Sequence, residues 1–314
     1  MYNKKFNYSL VLFAFFPFLL IFSAIAQDGK VFCASYTATP PEIDADLSDP
    51  CWSHTERIDD FTMITSPKSR PLNKTTFQVV YSDTHLYFAV ECWLSDTSEI
   101  ESPIPEPGIV DQYTSKYSIE IFIDPQGTCQ NYYQLAWSVN GMRYDGLKMY
   151  KDKFNGAWIV KTKILKNRWI SELAIPLSAL MNSKPLPGTK WGFNICRNDI
   201  SNYGIWKNTD GSFHNPEMYG DMIIGDYQTW WNKSRSIIKG FKNINCQSLP
   251  ESTYIKKIYN RGFKKAVFLE SKENIKIETR DEFLERYQEL ETLSFDLKAI
   301  REYISCPCKC TSAP

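Results

Sequence analysis

The sequence predicts an all-β protein: an antiparallel, jelly-roll-like β-sandwich followed by a C-terminal α-helical appendage. Three observations predict it. Residues 31–226 fall into short alternating or apolar runs, separated by turn-formers such as Pro125-Gln126-Gly127 and Asn140-Gly141. Aromatic residues make up 15% of the chain, which suits a sandwich core. After Asp226 the alternation stops and helical spacing begins.

Residues 1–26 read as a secretion signal, with Lys4 and Lys5 at the charged start, an apolar run over 10–25, and the small-residue site Ala24-Ile25-Ala26. The expectation is an exported chain: periplasmic, cell-surface or extracellular after cleavage. Within 31–226, residues 75–81 alternate, placing Phe77, Val79 and Tyr81 on one face. Residues 86–94 are apolar except for Glu91, as in a central strand. Residues 117–124 place Tyr117, Ile119, Ile121 and Ile123 on one face and Glu120 and Asp124 on the other. Residues 132–139, 158–164, 169–175 and 191–197 continue the series, while Pro103, Pro105 and Pro107 mark a loop. Trp52 is expected to plug one end of the sandwich.

The extension, 227–314, predicts a short helix over 227–241 that opens with Trp230 and Trp231. A longer amphipathic helix is predicted over 281–304, capped by Asp281. Its apolar stripe is Phe283, Tyr287, Leu290, Leu293, Leu297, Ile300 and Ile304. That stripe implies packing on the sandwich or self-association.

Lys+Arg and Asp+Glu both number 36, so no global field favours nucleic acid. Nine cysteines leave at least one thiol unpaired within the chain. Three of them form CPCKC at the tail, a spacing that matches no standard zinc site. There is no phosphate-cradling loop and no nucleophile motif.

The loop after Arg197 offers Tyr203, Trp206, Phe213, His214 and Tyr219 among Asn, Asp and Gly. Rings beside planar polar groups suit a sugar, which has apolar faces and a hydroxyl rim. Trp206 lies in this polar loop and is the expected stacking platform, with Trp158 as a second ring. Trp137, Trp169 and Trp191 fall in alternating strands and read as core. Glu120, Asp124 and Glu172 admit a glycosidase alternative, since hydrolysis of an O-glycosyl bond needs two carboxyls about 5 or 6.5–9.5 Å apart. Haem would need an axial pair, and the three histidines show no local pattern for one.

An ordered series of motifs runs through the sandwich: PEIDADLSDPCW (41–52), YSDTHLYFAV (81–90), SIEIFIDP (118–125), YYQLAWSVNG (132–141), WISELAIP (169–176), WGFNICR (191–197), then IW (205–206) and FHNPEMYG (213–220). The series resembles the family 9 carbohydrate-binding module over about residues 36–226. The resemblance implies a β-sandwich that binds polysaccharide or oligosaccharide ends without turning them over. It also implies association with glycoside hydrolases in carbohydrate catabolism, and structural calcium. Trp206 matches a ring that stacks on sugar; Arg197, Asn194 and Glu120 fall on motif strands as polar contacts, with Asp199 and Asn202 beside them. Where the related pattern carries an acidic pair, this chain has Ser115-Lys116-Tyr117. A purely structural sandwich is the remaining alternative.

Overall fold

The computed structural model describes residues 29–98, 100, 116–150, 153–200, 203–249 and 252–305. The signal segment, the Pro103–Pro107 loop, Asn202 and the CPCKC tail lie outside the described residues. The strands are β1 (Val31–Tyr36), β2 (Thr62–Met63), β3 (Thr75–Tyr81), β4 (His85–Trp93), β5 (Tyr117–Asp124), β6 (Tyr133–Ser138), β7 (Arg143–Leu147), β8 (Ile159–Leu165), β9 (Arg168–Pro176), β10 (Lys190–Asp199), β11 (Gly204–Ile205) and β12 (Gly220–Ile224). One-turn helices α1 (Pro50–Ser53) and α2 (Leu177–Leu180) interrupt them. The chain then runs through α3 (Tyr227–Lys242), α4 (Thr253–Ser271) and α5 (Arg280–Ser305).

The result is a large, mostly antiparallel mixed sheet with C-terminal helices. Its main path is β7-β6-β5-β10-β12-β1-β3-β4-β9-β8. The two parallel pairings on this path both involve β1. Val31–Ala34 pairs with β12, and Ser35 and Tyr36 pair with β3. The strand thereby joins a β5–β10 half to a β4–β9 half.

Alternation decides what the halves bury. Ile119, Ile121 and Ile123 of β5 and Phe193 and Ile195 of β10 share one apolar cluster with Phe77, Val79, Phe88, Val90 and Leu173 of the other half. Phe88 and Phe193 stack across it at 5.7 Å. Trp137, Trp169 and Trp191 lie in the same cluster, as their strand positions predict. Trp52 does not plug an end. It packs with Val80, Tyr87, Ala89 and Ala174 on the outward face of the β4–β9 half, because α1 follows a segment laid across that face.

The helices bury a second core with Val31, Cys33 and Ile223, so they cover the outward side of β1 and β12. Asp226 caps α3 by accepting from the Thr229 N–H at 2.7 Å. Helix α5 begins one residue before the predicted cap. Thr279 Oγ1 accepts from Glu282 N, and Glu282 Oε2 accepts from Thr279 N, both at 3.2 Å. This reciprocal box places Asp281 inside the first turn. The stripe from Phe283 to Ile300 is buried, whereas Ile304 is 47% exposed. Helix α4 was not expected from the spacing. At its Gly262 a Cβ would sit 2.2 Å from Phe241 Cζ, so glycine lets the α3 ring lie directly on the α4 backbone.

Candidate functional site

Four of the five leading sequence candidates are structural. Trp206 is fully buried and offers no ring face to a ligand. It meets Phe32 and Phe77 edge-on at 5.4 and 5.7 Å, and its Nε1 donates to Asp60 at 2.9 Å. The backbone at Ile205 pairs with Cys196, which turns the next side chain into the core. Trp158 is also buried, packed edge-on against Trp137 with its Nε1 donating to Asp145 at 2.9 Å. Arg197 faces inward and bridges the halves. Its guanidinium donates to the carbonyls of Lys74 and Trp93, to Thr75 Oγ1 and to Asp199. Asp199 is buried in that clamp and also accepts from Asn73 at 2.6 Å. Asn194 is buried and spent on backbone, donating to Lys207 O at 2.8 Å and accepting from Lys207 N at 3.0 Å.

Glu120 is also buried, at 5% exposure, but from the outward side of its sheet. It projects from the outward face of the β5–β10 half, opposite the isoleucines of its own strand. Its register partners, Ala136 on β6 and Cys196 on β10, leave room for longer neighbours one step away. Gln134 Nε2 donates to one carboxylate oxygen and Asn198 Nδ2 to the other, both at 2.8 Å. Asn198 also donates to Ser118 Oγ at 3.1 Å. Beside this row sits an outward ring cluster of Phe122, Tyr132 and Tyr219, with Ile64 and Phe213 packed on it. Tyr132 Oη and His214 Nδ1 lie 2.9 Å apart. Burial lowers the His214 pKa and the charge of Glu120 opposes that shift. Tyr203, at the end of the same loop, is 44% exposed.

The remaining acids have other duties. Asp124 caps its own turn, accepting from the N–H groups of Gln126, Gly127 and Cys129. Glu172 lies on the outward face of the β4–β9 half, fully buried under residues 41–52. It accepts from Trp52 Nε1 at 2.8 Å, Ala45 N at 2.8 Å and Asp44 N at 3.2 Å. Burial pushes its carboxyl up to about 7, against the pull of those three donors. Glu120 and Glu172 therefore stand on opposite outward faces with the core between them, and they do not form a reacting pair.

Among the described residues no group of three or more His, Cys, Asp or Glu is gathered to hold a metal ion. No disulfide joins Cys33, Cys51, Cys92, Cys129, Cys196 or Cys246. Burial pushes the Cys92 thiol up to about 12, which suits a packing role. No helix of the described residues is long and apolar enough to cross a membrane.

Gln134 and Asn198 were missed in the sequence. Their signal is register: counting outward positions along β5, β6 and β10 from Glu120 reaches both. The fold is thus a two-halved β domain in which the outward polar row of the β5–β10 half lies beside rings. The profile described as carbohydrate family 9 binding domain-like matches residues 43–226, more than half the chain. The chain belongs to that family. Among solved structures it is similar to a family 9 carbohydrate binding module from Caldicellulosiruptor kristjanssonii in complex with cellotriose. That match has 20% identity and a TM-score of 0.47, covering 62% of this chain and 94% of that one. A second is a family 9 module from the same organism in complex with glucose, at 19% identity and a TM-score of 0.45, covering 63% and 97%. No curated protein matches the chain.

Proposed function

We propose that this chain is an exported, non-catalytic carbohydrate-binding protein that takes a sugar on the outward face of the β5–β10 half. In this reading the two halves close as a sandwich, and the protein serves carbohydrate breakdown beside glycoside hydrolases. The observation that carries the reading is the Glu120 carboxylate, pinned by Gln134 and Asn198 beside a ring cluster in a domain of this family.

The chemistry follows from the groups. Sugar hydroxyls donate to Glu120 and accept from the two amides, while an apolar sugar face lies on Phe213 or Tyr203. A hydrogen bond to a charged group contributes about 1.5–3 kcal/mol and a ring face about 1 kcal/mol. After association costs, that supports micromolar to millimolar affinity. The two amides hold Glu120 before the sugar arrives, which lowers the ordering cost of binding. No proton transfer is needed, and Asp124, the other acid on this face of β5, is taken up by the N–H groups of its own turn.

Isothermal titration of the full chain against glucose, xylose and cello-oligosaccharides tests the reading. Saturable heat is expected, with affinity at least about tenfold lower in Glu120→Gln. No heat from wild type, or equal binding by Glu120→Gln and Gln134→Ala, overturns it.

A further inference from the structure

Helix α4 has two faces of different chemistry. Ile255, Ile258, Gly262, Ala266 and Leu269 recur at helical spacing and are buried. The opposite side carries Lys256, Lys257, Asn260 and Lys264. Two other cations of the helix are matched by α5: Arg261 Nε donates to Asp296 at 3.0 Å, and Lys265 pairs with Glu289. The acid Glu270 is matched by Lys242. Lys256, Lys257 and Lys264 have no carboxylate partner among the described residues. Between and beside them stand Phe263, Val267 and Phe268, at 40%, 46% and 38% exposure.

Three uncompensated ammonium groups on one helix face repel one another, and exposed rings gain nothing from water. Both features become favourable against an anionic chain that also has apolar faces. We propose that α4 is a second binding surface, and that its ligand is an anionic polysaccharide, a polymer whose sugar rings carry carboxylates. Lys257 and Lys264 stand about 10 Å apart along the axis, so the row suits a polymer lying lengthwise. The lysines meet carboxylates, and Phe263 and Val267 meet ring faces.

A lipid surface fits less well. Asn260 and Lys264 hold the centre of the exposed face and Phe263 and Phe268 its flanks, whereas an interfacial helix buries an apolar centre. The surface is separate from the Glu120 row and does not depend on it.

Electrophoresis of the full chain through gels containing polygalacturonate tests the proposal, with hydroxyethylcellulose as the neutral control. Polygalacturonate should retard the wild type, and the effect should weaken above about 0.1 M salt. Retardation should fall at least about tenfold in the triple variant K256Q/K257Q/K264Q and fall in Phe263→Ser, while Glu120→Gln leaves it unchanged. The proposal is overturned by no retardation of wild type, or by equal retardation of the triple variant. Loss in Glu120→Gln, equal retardation by polyglutamate, or binding only to phosphatidylglycerol vesicles also overturns it. Neutral-sugar titration reads the Glu120 face alone, so either site can fail without the other.

Discussion

The two outward faces of the β domain each carry a glutamate at an equivalent point of the strand alternation, yet they have opposite fates. On the β4–β9 half, residues 41–58 lie across the sheet. Glu172 is covered by Trp52, Gln78 donates to the carbonyls of Trp52 and Thr55, and Glu91 pairs with Arg57 and Arg168. Every polar group named there is answered by the protein itself. On the β5–β10 half, Glu120 is also buried, but it is held beside rings by the side-chain amides of Gln134 and the half-buried Asn198. Pairing with flexible side chains leaves lone pairs that a ligand can use; pairing with a laid-down backbone does not. An outward acid is thus made structural or functional by what covers it.

Three measurements sharpen or break this contrast. The largest effect is expected at Trp206, which belongs to neither face: Trp206→Ala should cost about 3–5 kcal/mol in denaturant unfolding. A small stability loss together with lost sugar binding would return the ring to the surface. Next is the covered glutamate. Its folded carboxyl is raised from 4.5 to about 7, so its contribution is complete below about pH 4.5 and is lost as pH rises through about 7. The stability gap between wild type and Glu172→Gln should narrow by about 2–3 kcal/mol over that range. A gap that widens with pH would mean that the three N–H donors outweigh burial. The smallest stability effect belongs to the β5–β10 face, where Gln134→Ala should cost about 1 kcal/mol in unfolding and about tenfold in sugar affinity. The reverse ranking of stability and affinity would make this face structural too.

Much of the β domain was legible in the sequence because alternation reports burial directly. The isoleucines of 117–124 and the tryptophans at 137, 169 and 191 sit where period two places them. Trp206 was misread because a ring among Asn, Asp and Gly looks like a platform, while its burial depends on a two-residue strand, β11, paired with β10. No local pattern announces so short an element. Arg197 and Asn194 were misread for a related reason, since their partners come from Lys74, Trp93 and Lys207, distant in sequence or beyond the strand. Helix α4 escaped notice because its inner face includes a glycine and an alanine, which weakens the apolar stripe.

Strand β1 has a consequence for how the chain assembles. Its residues 31–34 pair with 221–224, close to the other end of the β domain, and only two residues pair with β3. Loop closure over that separation is slow, so during synthesis β1 waits with an open edge until β12 emerges. Residues 31–34 read VFCA, and all four are buried in the finished fold. A chain stopped short of β12 would expose that apolar strand, and its failure would be aggregation rather than a smaller folded domain.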